Sequence, residues 1–413
     1  MHVGVAAHRG LTMMSMAARR FTRTLASKAA SKPGTICVHA AALKQDGGAL
    51  TTPIYSSVAT VWPNPRSQHI YPRYNTGPNV ELVSARIAAL EGGEAGIVFA
   101  SGMAAISSTL YTILEKGDHC VMSEVYGATY ELGAKDFPRR GIENTFVTTR
   151  RVEDFVSALR PNTKLLYLET PSNPLISVLD MEATIRAARE VCGPGLIVAT
   201  DNTFATPLNT QPLALGADYV IHSATKFLNG HSDLQAGVVV STAERIETIR
   251  QNTIMYGGGL NAFEAYQLER GMMTFALRMA AHNSNALALA TFLEAHPRVS
   301  RVLYPSLPSH PAYEVAQRQM KGGGAMLAFD LGGGDTTGAT ANRFMQALQL
   351  STPARSLGGC HTTVCLPAET SHARLTEAER LEVGIGPGLV RVSVGIEDED
   401  DIIADFDHAL SGL

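Results

Sequence analysis

The chain has 413 residues, of which 45% are hydrophobic and 17% are charged, and its formal net charge at pH 7 is -4. Such a length exceeds one ordinary core, so we expect two or three domains with a large buried interior. No uninterrupted apolar stretch approaches the roughly 20 residues of a membrane helix, and no basic face is suited to a phosphate backbone. We therefore expect neither a membrane nor a nucleic acid as a partner.

The N-terminal segment differs in composition from the rest of the chain. Residues 1–45 contain no Asp or Glu, and their arginines and lysines are interspersed with Ser, Thr, Ala and Met. This composition is typical of an organellar transit peptide and predicts a mitochondrial location; a basic tail on a cytoplasmic protein is the alternative. We interpret residues 1–33 as a transit peptide or disordered tail and leave them out of the fold prediction.

Three further segments follow in chain order. Residues 34–75 have little periodicity and contain four prolines, which favours an extended arm over a separate core. Between 76 and 274, short apolar runs alternate with helical patterns, which predicts a mostly parallel sheet covered by helices on both faces. The predicted strands of this large domain are residues 97–100, 119–122, 165–168, 196–200, 219–222 and 237–240.

The pattern changes in residues 275–413. A long helical stretch over 278–296 precedes short apolar runs at 299–304, 325–331 and 389–394 and a final helical pattern at 400–410. This mixture predicts a smaller α+β domain, so the fold class of the whole chain is α/β.

The five cysteines lack paired or CxxC spacing, which favours free thiols in a reducing compartment. Cys360, His361 and Cys365 lie close together, but no second pair of ligands accompanies them. A structural metal centre normally needs such a second pair, so we predict no metal site.

Ligands of open α/β sheets bind beyond the carboxyl ends of the strands, where four predicted strands end on polar residues. At Ser101, Gly102 and Met103, a strand-to-helix turn can offer backbone N–H groups to a phosphate, although Ser101 is equally suited to cap the helix. Asp201 ends a second apolar strand. A buried carboxylate needs a cation, and a protonated pyridine nitrogen would serve; a helix cap is the alternative.

The other two strand ends carry a lysine and an amide. Ser223, Thr225 and Lys226 share one loop, where the hydroxyls suit a phosphate and the amine can form a Schiff base with an aldehyde cofactor. A lysine alone is more often a surface charge, but Lys226 follows Asp201 by 25 residues, one strand over. Asn173 lies in a proline-stiffened turn and can bind a ring substituent or a substrate carboxylate.

Five motifs together resemble a known family. They are FASGMAAI at 99–106, LETPSNP at 168–174, DNTFATP at 201–207, HSATK at 222–226 and VRVSVGI at 390–396. The chain is similar, from about Thr35 to its C terminus, to the Cys/Met-metabolism (trans-sulfuration) family of fold-type I pyridoxal 5'-phosphate (PLP) enzymes. These include cystathionine γ-synthase, the cystathionine γ- and β-lyases, methionine γ-lyase and the O-acylhomoserine sulfhydrylases. The resemblance implies a fold-type I PLP-dependent transferase fold and PLP as cofactor.

The resemblance also implies roles for individual residues. Lys226 would be the Schiff-base lysine, Asp201 would pair with the pyridine nitrogen, and Tyr126 would stack on the ring and assist proton transfers. The phosphate would be held by Ser101, Gly102, Met103, Ser223 and Thr225.

Further residues implied by the resemblance concern the substrate and a neighbouring subunit. Arg391 would bind the substrate carboxylate, for which its planar fork is suited, together with Asn173 and Ser356. Tyr71 and Arg73 would reach the phosphate of a neighbouring subunit, which implies a homotetramer, a dimer of dimers with shared active sites.

The function expected from the resemblance is γ-elimination or γ-replacement on cystathionine or an O-acylhomoserine. A cystathionine β-lyase or an O-acylhomoserine sulfhydrylase is the alternative; an aminotransferase and a non-catalytic binding protein on the same scaffold are more distant ones. Three positions depart from family patterns. His361 stands where the γ-enzymes usually have Glu, Ala128 where methionine γ-lyases have Cys, and Leu357 where enteric-type β-lyases have Trp.

Overall fold

The computed structural model describes residues 31–41, 49–61, 71–331, 337–373 and 376–413. The predicted targeting segment therefore lies, up to residue 30, outside the described residues. Within the described ranges, no helix has both the length and the apolar character needed to cross a membrane.

The larger sheet has seven strands in the order β1-β7-β6-β5-β4-β2-β3. Neighbours from β3 to β6 pair in parallel, whereas β7 runs antiparallel to both β6 and β1. The predicted mostly parallel sheet is therefore confirmed. Its strands are β1 (Ala95–Phe99), β2 (His119–Met122), β3 (Glu143–Phe146), β4 (Thr163–Glu169), β5 (Ile197–Asp201), β6 (Tyr219–Ser223) and β7 (Gly237–Ser241).

Helices cover both faces of this sheet because its strands are apolar on both sides. Val98 of β1 packs into the core that includes the helix Pro78–Glu91, whereas its neighbour Phe99 packs into the core that includes the helix Gly102–Ile113. Successive side chains of a strand point to opposite faces, so each strand contributes to two cores. The carboxyl ends of β4, β5 and β6 consequently lie at one edge between these layers.

The sequence prediction missed several elements, among them the short strands Thr352–Pro353 and Thr363–Cys365. Strand β3 was not predicted, because its residues are polar or only partly buried and lie at the edge of the sheet. In the segment expected to be an extended arm, the helix Pro33–His39 buries Cys37 in the core shared with Pro78–Glu91. The division of the chain into 34–75, 76–274 and 275–413 remains a prediction.

The second sheet has five strands in the order β10-β11-β12-β9-β8. Phe329, Phe344 and Phe406 meet in its core, with ring centroids 5.5 to 6.3 Å apart. Arg391 lies at the centre of β12, opposite Ala328 of β9. The strands are β8 (Val299–Leu303), β9 (Met326–Leu331), β10 (Thr352–Pro353), β11 (Thr363–Cys365) and β12 (Leu389–Ser393).

Many helices begin at a side chain that accepts a hydrogen bond from the first turn, as Thr242 and Asn261 do. The longer described helices are Pro78–Glu91, Gly102–Ile113, Met181–Cys192, Ala243–Tyr256, Ala262–Met272, Phe275–Ala295, Ala339–Ala347 and Glu399–Ser411. The shorter α-helices are Pro33–His39, Gly127–Glu131, Phe137–Arg139, Val152–Ala158, Thr206–Asn209, Tyr313–Gln319 and Glu377–Glu382. Leu132–Asp136 is a π-helix, and Pro72–Tyr74, Pro212–Leu215 and Pro367–Glu369 are 3-10 turns.

Candidate active site

Lys226 lies three residues beyond β6, in a loop that meets the second sheet. Its Nζ donates a hydrogen bond to Ser356 Oγ at 3.0 Å. Burial, followed by the positive charge of Arg391, lowers the pKa of the Lys226 ammonium. The loop therefore presents an amine that loses its proton more readily than a surface lysine.

Gly358 explains how the turn with Ser356 can approach Lys226 so closely. Its φ is +79°, and a Cβ at this position would lie 2.7 Å from the backbone N of Phe227 and 3.0 Å from the carbonyl carbon of Lys226. Only glycine combines this conformation with so little space. The Ser-Leu-Gly turn is thus packed directly on the backbone of the lysine loop.

Arg278 holds the lysine loop from the other side. Its buried guanidinium donates to the carbonyl oxygens of Phe227 at 2.8 Å, Leu228 at 3.2 Å and Gly271 at 2.9 Å. Sequence reasoning missed this residue, because a lone arginine in a helical pattern carries no signal that it binds main-chain carbonyls far away. The contacts fix the backbone that follows Lys226.

Asp201 and Glu169 are register partners at the ends of β5 and β4. Both are buried, and burial raises the pKa of each carboxyl; for Glu169 the negative charge of Asp201 raises the pKa further. Asp201 accepts a hydrogen bond from the N–H of Thr203 at 2.9 Å. Glu169 belongs to the LETPSNP motif but was assigned no role from sequence, because a single strand gives no sign of its neighbour across the sheet.

Tyr126 is placed beside this carboxyl pair by its main chain. Its N–H donates to Glu169 Oε2 at 2.7 Å, and the helix Gly127–Glu131 follows directly. The side chain is 45% exposed. An exposed ring at the end of a strand is available to stack on a flat ligand.

The proposed phosphate residues come together at the start of the helix Gly102–Ile113. A Cβ on Gly102 would lie 2.9 Å from Ser223 Cβ, so the helix start lies against β6. Ser101 Oγ accepts from the N–H of Ala104 at 3.1 Å, which shows the capping alternative. Met103 Sδ accepts a long contact from Thr129 Oγ1 at 3.9 Å.

Thr225 is the member of this set whose hydroxyl both donates and accepts a hydrogen bond within the protein. Its Oγ1 donates to the carbonyl of Ala236 at 3.2 Å and accepts from the N–H of the same residue at 2.9 Å. Contact with a phosphate would require the hydroxyl proton to turn away from Ala236. The described geometry thus gives Thr225 a structural role in the loop as well as its proposed one.

Arg391 and Asn173 form a buried contact between the two sheets. Arg391 Nη1 donates to Asn173 Oδ1 at 2.8 Å, and Arg391 Nε has no hydrogen-bond partner among the described residues. A buried guanidinium N–H without a partner is costly. The unused side of this fork is suited to an anionic ligand such as a carboxylate.

Tyr71 and Arg73 lie in a different environment. Arg73 donates to the carbonyl of Ile254 and lies 5.6 Å from the ring centroid of Tyr71 and 5.2 Å from that of Tyr74. Both predicted residues are exposed, and their described contacts lie at the helix Ala243–Tyr256 and within their own turn. Their predicted role across a subunit boundary remains a prediction.

His361 is exposed on the loop that follows the Ser356 turn. The loop is held on both sides, since Cys360 Sγ donates to the carbonyl of Gly230 at 3.2 Å and Thr362 Oγ1 donates to Glu397 Oε2 at 2.9 Å. Leu357, by contrast, is buried in the core. Of the three departures from family patterns, His361 is thus a polar and solvent-exposed side chain.

The described residues fit an aldehyde cofactor that carries a phosphate and a protonated ring nitrogen. An amine of lowered pKa, a buried carboxyl pair and the first N–H groups of a helix occur at neighbouring strand ends. The carboxyl pair in particular needs a positive charge near it, because buried carboxylates are stable only when paired or protonated.

Comparisons with known proteins agree with this geometry. The family model described as Cys/Met metabolism PLP-dependent enzyme matches residues 34–411. An L-methionine gamma-lyase of Fusobacterium nucleatum is 43% identical, and the match covers 92% of this chain and 98% of that protein. A cystathionine gamma-lyase of Bacillus subtilis is 41% identical, over 89% of this chain and 95% of that protein.

A solved structure is similar as well. That of a cystathionine gamma synthase from Xanthomonas oryzae pv. oryzae has a TM-score of 0.87 and 35% sequence identity, and covers 92% of this chain and 98% of that one. The family resemblance, the fold class, PLP as cofactor and an enzyme of sulfur amino-acid metabolism are thereby confirmed. The chain belongs to the Cys/Met metabolism family of PLP-dependent enzymes.

Proposed function

We propose that this enzyme catalyses γ-elimination or γ-replacement on L-cystathionine or an O-acylhomoserine. The observation that carries the proposal is the convergence of three groups from distant parts of the chain. Lys226 Nζ lies 3.0 Å from Ser356 Oγ, and Arg391, bound to Asn173, lowers the pKa of the same lysine. An amine and a carboxylate-binding fork in one place suit an α-amino acid.

Bound PLP supplies an electron sink for the carbanion that forms when an amino acid loses its α-proton. Lys226 is the group that moves this proton. Its lowered pKa increases the fraction of neutral amine, which is the form that attacks an aldehyde and accepts a proton. The hydrogen bond to Ser356 orients Nζ, and the contacts of Arg278 with the loop keep its backbone in place.

Arg391 would bind the substrate carboxylate. Asn173 holds one end of the guanidinium, so the fork has a defined orientation before the substrate arrives. A fixed carboxylate directs the α-carbon toward Lys226. Tyr126, whose backbone is held by Glu169, would lie over the cofactor ring and assist proton transfers.

The remaining cofactor contacts follow the positions of the strand ends. Ser101, Gly102, Met103 and Ser223 would hold the phosphate at the helix N-terminus, with Thr225 contributing if its hydroxyl turns from Ala236. Asp201 would face the ring nitrogen. These roles derive from the family resemblance and are supported by the proximity of the residues.

The choice of reaction depends on the second proton transfer. A shift of a proton from the β-carbon opens γ-elimination or γ-replacement, whereas β-elimination follows directly from loss of the α-proton. Leu357 instead of Trp argues against the enteric-type β-lyases, and Ala128 instead of Cys argues against methionine γ-lyase, although relatives with that name are similar to this chain. Sulfhydrylases and plant-like β-lyases of this family commonly have a basic residue at the position of His361, so an O-acylhomoserine sulfhydrylase or a cystathionine β-lyase is the second candidate.

We also propose a homotetramer with shared active sites. Large apolar side chains are exposed at the end of the helix Ala243–Tyr256, which contacts the turn that carries Tyr71 and Arg73, and on the two helices that follow it in the chain. These side chains support an interface there. They are Met255 (71% exposed), Tyr256 (69%), Phe263 (58%) and Leu277 (74%). Sedimentation velocity of the purified protein tests this proposal, and a strictly monomeric active enzyme would contradict it.

Mitochondrial targeting by residues 1–33 is a separate proposal that rests on composition. A fluorescent protein fused behind residues 1–45 should accumulate in mitochondria, because the segment is basic and lacks acidic residues. A diffuse cytoplasmic signal would favour the alternative location.

The experiment that tests the reaction is identification of the α-keto acid released from L-cystathionine. We expect 2-oxobutyrate, which reports cleavage on the γ side of sulfur, or cystathionine and homocysteine when an O-acylhomoserine is offered with cysteine or sulfide. Pyruvate as the main product would refute the γ assignment. Addition of an α-keto acid acceptor distinguishes an aminotransferase, and the absence of any turnover by PLP-loaded protein would favour a binding protein.

A further inference from the structure

Two carboxyl groups lie side by side at the edge of the large sheet without a salt bridge. Glu169 and Asp201 are register partners, and each is 7% exposed. The nearby imidazole of His222 pairs with Glu91 at 2.5 Å rather than with either of them. Among the described residues, no lysine or arginine forms an ion pair with the two carboxyls.

The two groups have different hydrogen bonds. Glu169 Oε2 accepts from the main-chain N–H of Tyr126 at 2.7 Å, and the N–H of Glu169 donates to Ser123 Oγ at 2.9 Å. Asp201 Oδ1 accepts from the N–H of Thr203 at 2.9 Å. Glu169, the last residue of β4, is thus bound to the loop after β2, which carries Ser123 and Tyr126.

Two neighbouring buried carboxyls cannot both be charged at low cost, so one of them retains a proton. Burial is the largest cause that raises the pKa of Glu169, and the negative charges of Asp201 and Glu124 raise it further. The hydrogen bond from the N–H of Tyr126 lowers it. Burial raises the pKa of Asp201 too, but hydrogen bonds from Thr203 and the charge of His222 oppose the rise. The ionised form of Asp201 is therefore better stabilised by its neighbours than that of Glu169.

Other titratable groups near the pair do not reverse this order. Tyr167, on β4, is buried, and burial, followed by the charge of Asp201, raises the pKa of its hydroxyl, so it stays neutral. Glu124 accepts from Ser172 Oγ at 2.9 Å. Burial raises the pKa of the Glu124 carboxyl against its hydrogen bond with Ser172, and any charge that it carries is negative, which favours the proton on Glu169.

We propose that Glu169 is a positioning residue that remains a neutral acid at the working pH. Because Oε2 accepts from Tyr126, Oε1 carries the proton. With Glu169 neutral, Asp201 is the single carboxylate that would pair with the single positive charge of the ring nitrogen. The Glu169 side chain also holds the backbone of Tyr126. The role of Asp201 in this inference rests on the proposed function, whereas the protonation of Glu169 is independent of it.

The first test uses cofactor-free protein and infrared difference spectroscopy. A protonated carboxylic acid has a carbonyl stretch above the amide band that moves in D₂O. At neutral pH, Glu169→Gln should remove one such band from the wild-type spectrum, whereas Glu124→Gln should leave that band in place. Wild-type and Glu169→Gln spectra that superimpose in this region would overturn the proposal.

The second test measures the ring nitrogen directly. Protein loaded with ¹⁵N-labelled PLP should keep the nitrogen shift of a protonated ring in Glu169→Gln, because Gln is neutral and retains an acceptor for Tyr126. Its cofactor affinity should change by less than about threefold. Asp201→Asn should lose the protonated signal. A shift to an unprotonated ring in Glu169→Gln would show that Glu169 carries the charge and would overturn the proposal.

Two controls separate the outcomes. If Glu169→Gln does not fold, as judged by its thermal unfolding, the carbonyl band of the wild-type protein can be followed while the pH is raised. Loss of this band well below neutral pH would mean that the acid is ionised at neutral pH, and it would overturn the proposal. If wild-type protein fails to bind PLP, the proposed function fails while the infrared result on Glu169 still stands.

Discussion

Replacement of Arg391 by Ala should reduce recognition of the substrate carboxylate strongly. The side chain is 3% exposed, Nη1 is held by Asn173 at 2.8 Å, and Nε has no partner among the described residues. In the variant, the substrate carboxylate would lose the guanidinium as its partner in a desolvated charge pair, and such a loss costs about 2–5 kcal/mol. The expected loss in kcat/KM is therefore about 30- to 4000-fold.

The same variant should move a pH profile in a defined direction. Arg391 is the second cause, after burial, of the lowered pKa of Lys226. Without that positive charge, the pKa of Lys226 rises toward its ordinary value, so the neutral amine forms at higher pH. The rate at which cofactor-free protein captures PLP, followed by its visible absorbance, should then shift to more alkaline pH.

Steady-state kinetics with L-cystathionine and with an O-acylhomoserine measure the first effect, and stopped-flow absorbance measures the second. Arg343→Ala, an exposed arginine on the helix Ala339–Ala347, is the matched control and should change neither. Arg391→Lys should recover part of the affinity, because it restores charge without the planar fork. If Arg391→Ala lowers kcat/KM by less than about fivefold, or if the pH profile of PLP capture shifts to more acidic pH, the assignment of Arg391 is refuted.

Three other changes test separate parts of the site. Lys226→Ala should abolish turnover and the visible band that borohydride removes from PLP-loaded wild type, and a variant that retains both would contradict the assignment of the lysine. Gly358→Ala should lower activity more than stability, because a Cβ would force the Ser356 turn away from Phe227. The control Gly386→Ala has open space around its Cβ position and should change neither activity nor thermal unfolding. His361→Glu should lower KM for cystathionine or cysteine by at most about fivefold, since an exposed ion pair is weak; an unchanged KM and an unchanged preference between cysteine and sulfide would make His361 a bystander. Mixing Arg73→Ala with Lys226→Ala should restore some activity in hybrid dimers, and no recovery after subunit exchange would contradict shared sites.

The residues that end strands could be found from sequence because their signal is local. An apolar run followed by Asp201, or by Ser223 and Lys226, marks a strand that delivers polar groups to one edge of a parallel sheet. The structure places these ends on neighbouring strands β5 and β6. Motif spacing was thus sufficient for the fold class, the family and the cofactor.

Other functional contacts depend on pairs of residues far apart in the chain. Arg278 lies 51 residues from the carbonyl of Phe227, and Arg391 lies 218 residues from Asn173. Neither spacing is periodic, and each arginine by itself resembles a surface charge. The family resemblance assigned Arg391 to the substrate carboxylate, but its contact with Asn173 and the role of Arg278 become visible only when the two sheets are packed together.

Sequence alone indicated the buried strands of the large sheet, because burial on both faces requires continuous apolar runs that few other elements share, whereas the polar edge strand β3 was not predicted. The need for glycine at position 358 comes from the backbone of Lys226 and Phe227, which only the packed structure reveals. The tertiary structure alone decided that Glu169 stands beside Asp201. Strand order is a property of the whole sheet, and the pKa of a carboxyl depends on the charges and the burial that this order creates.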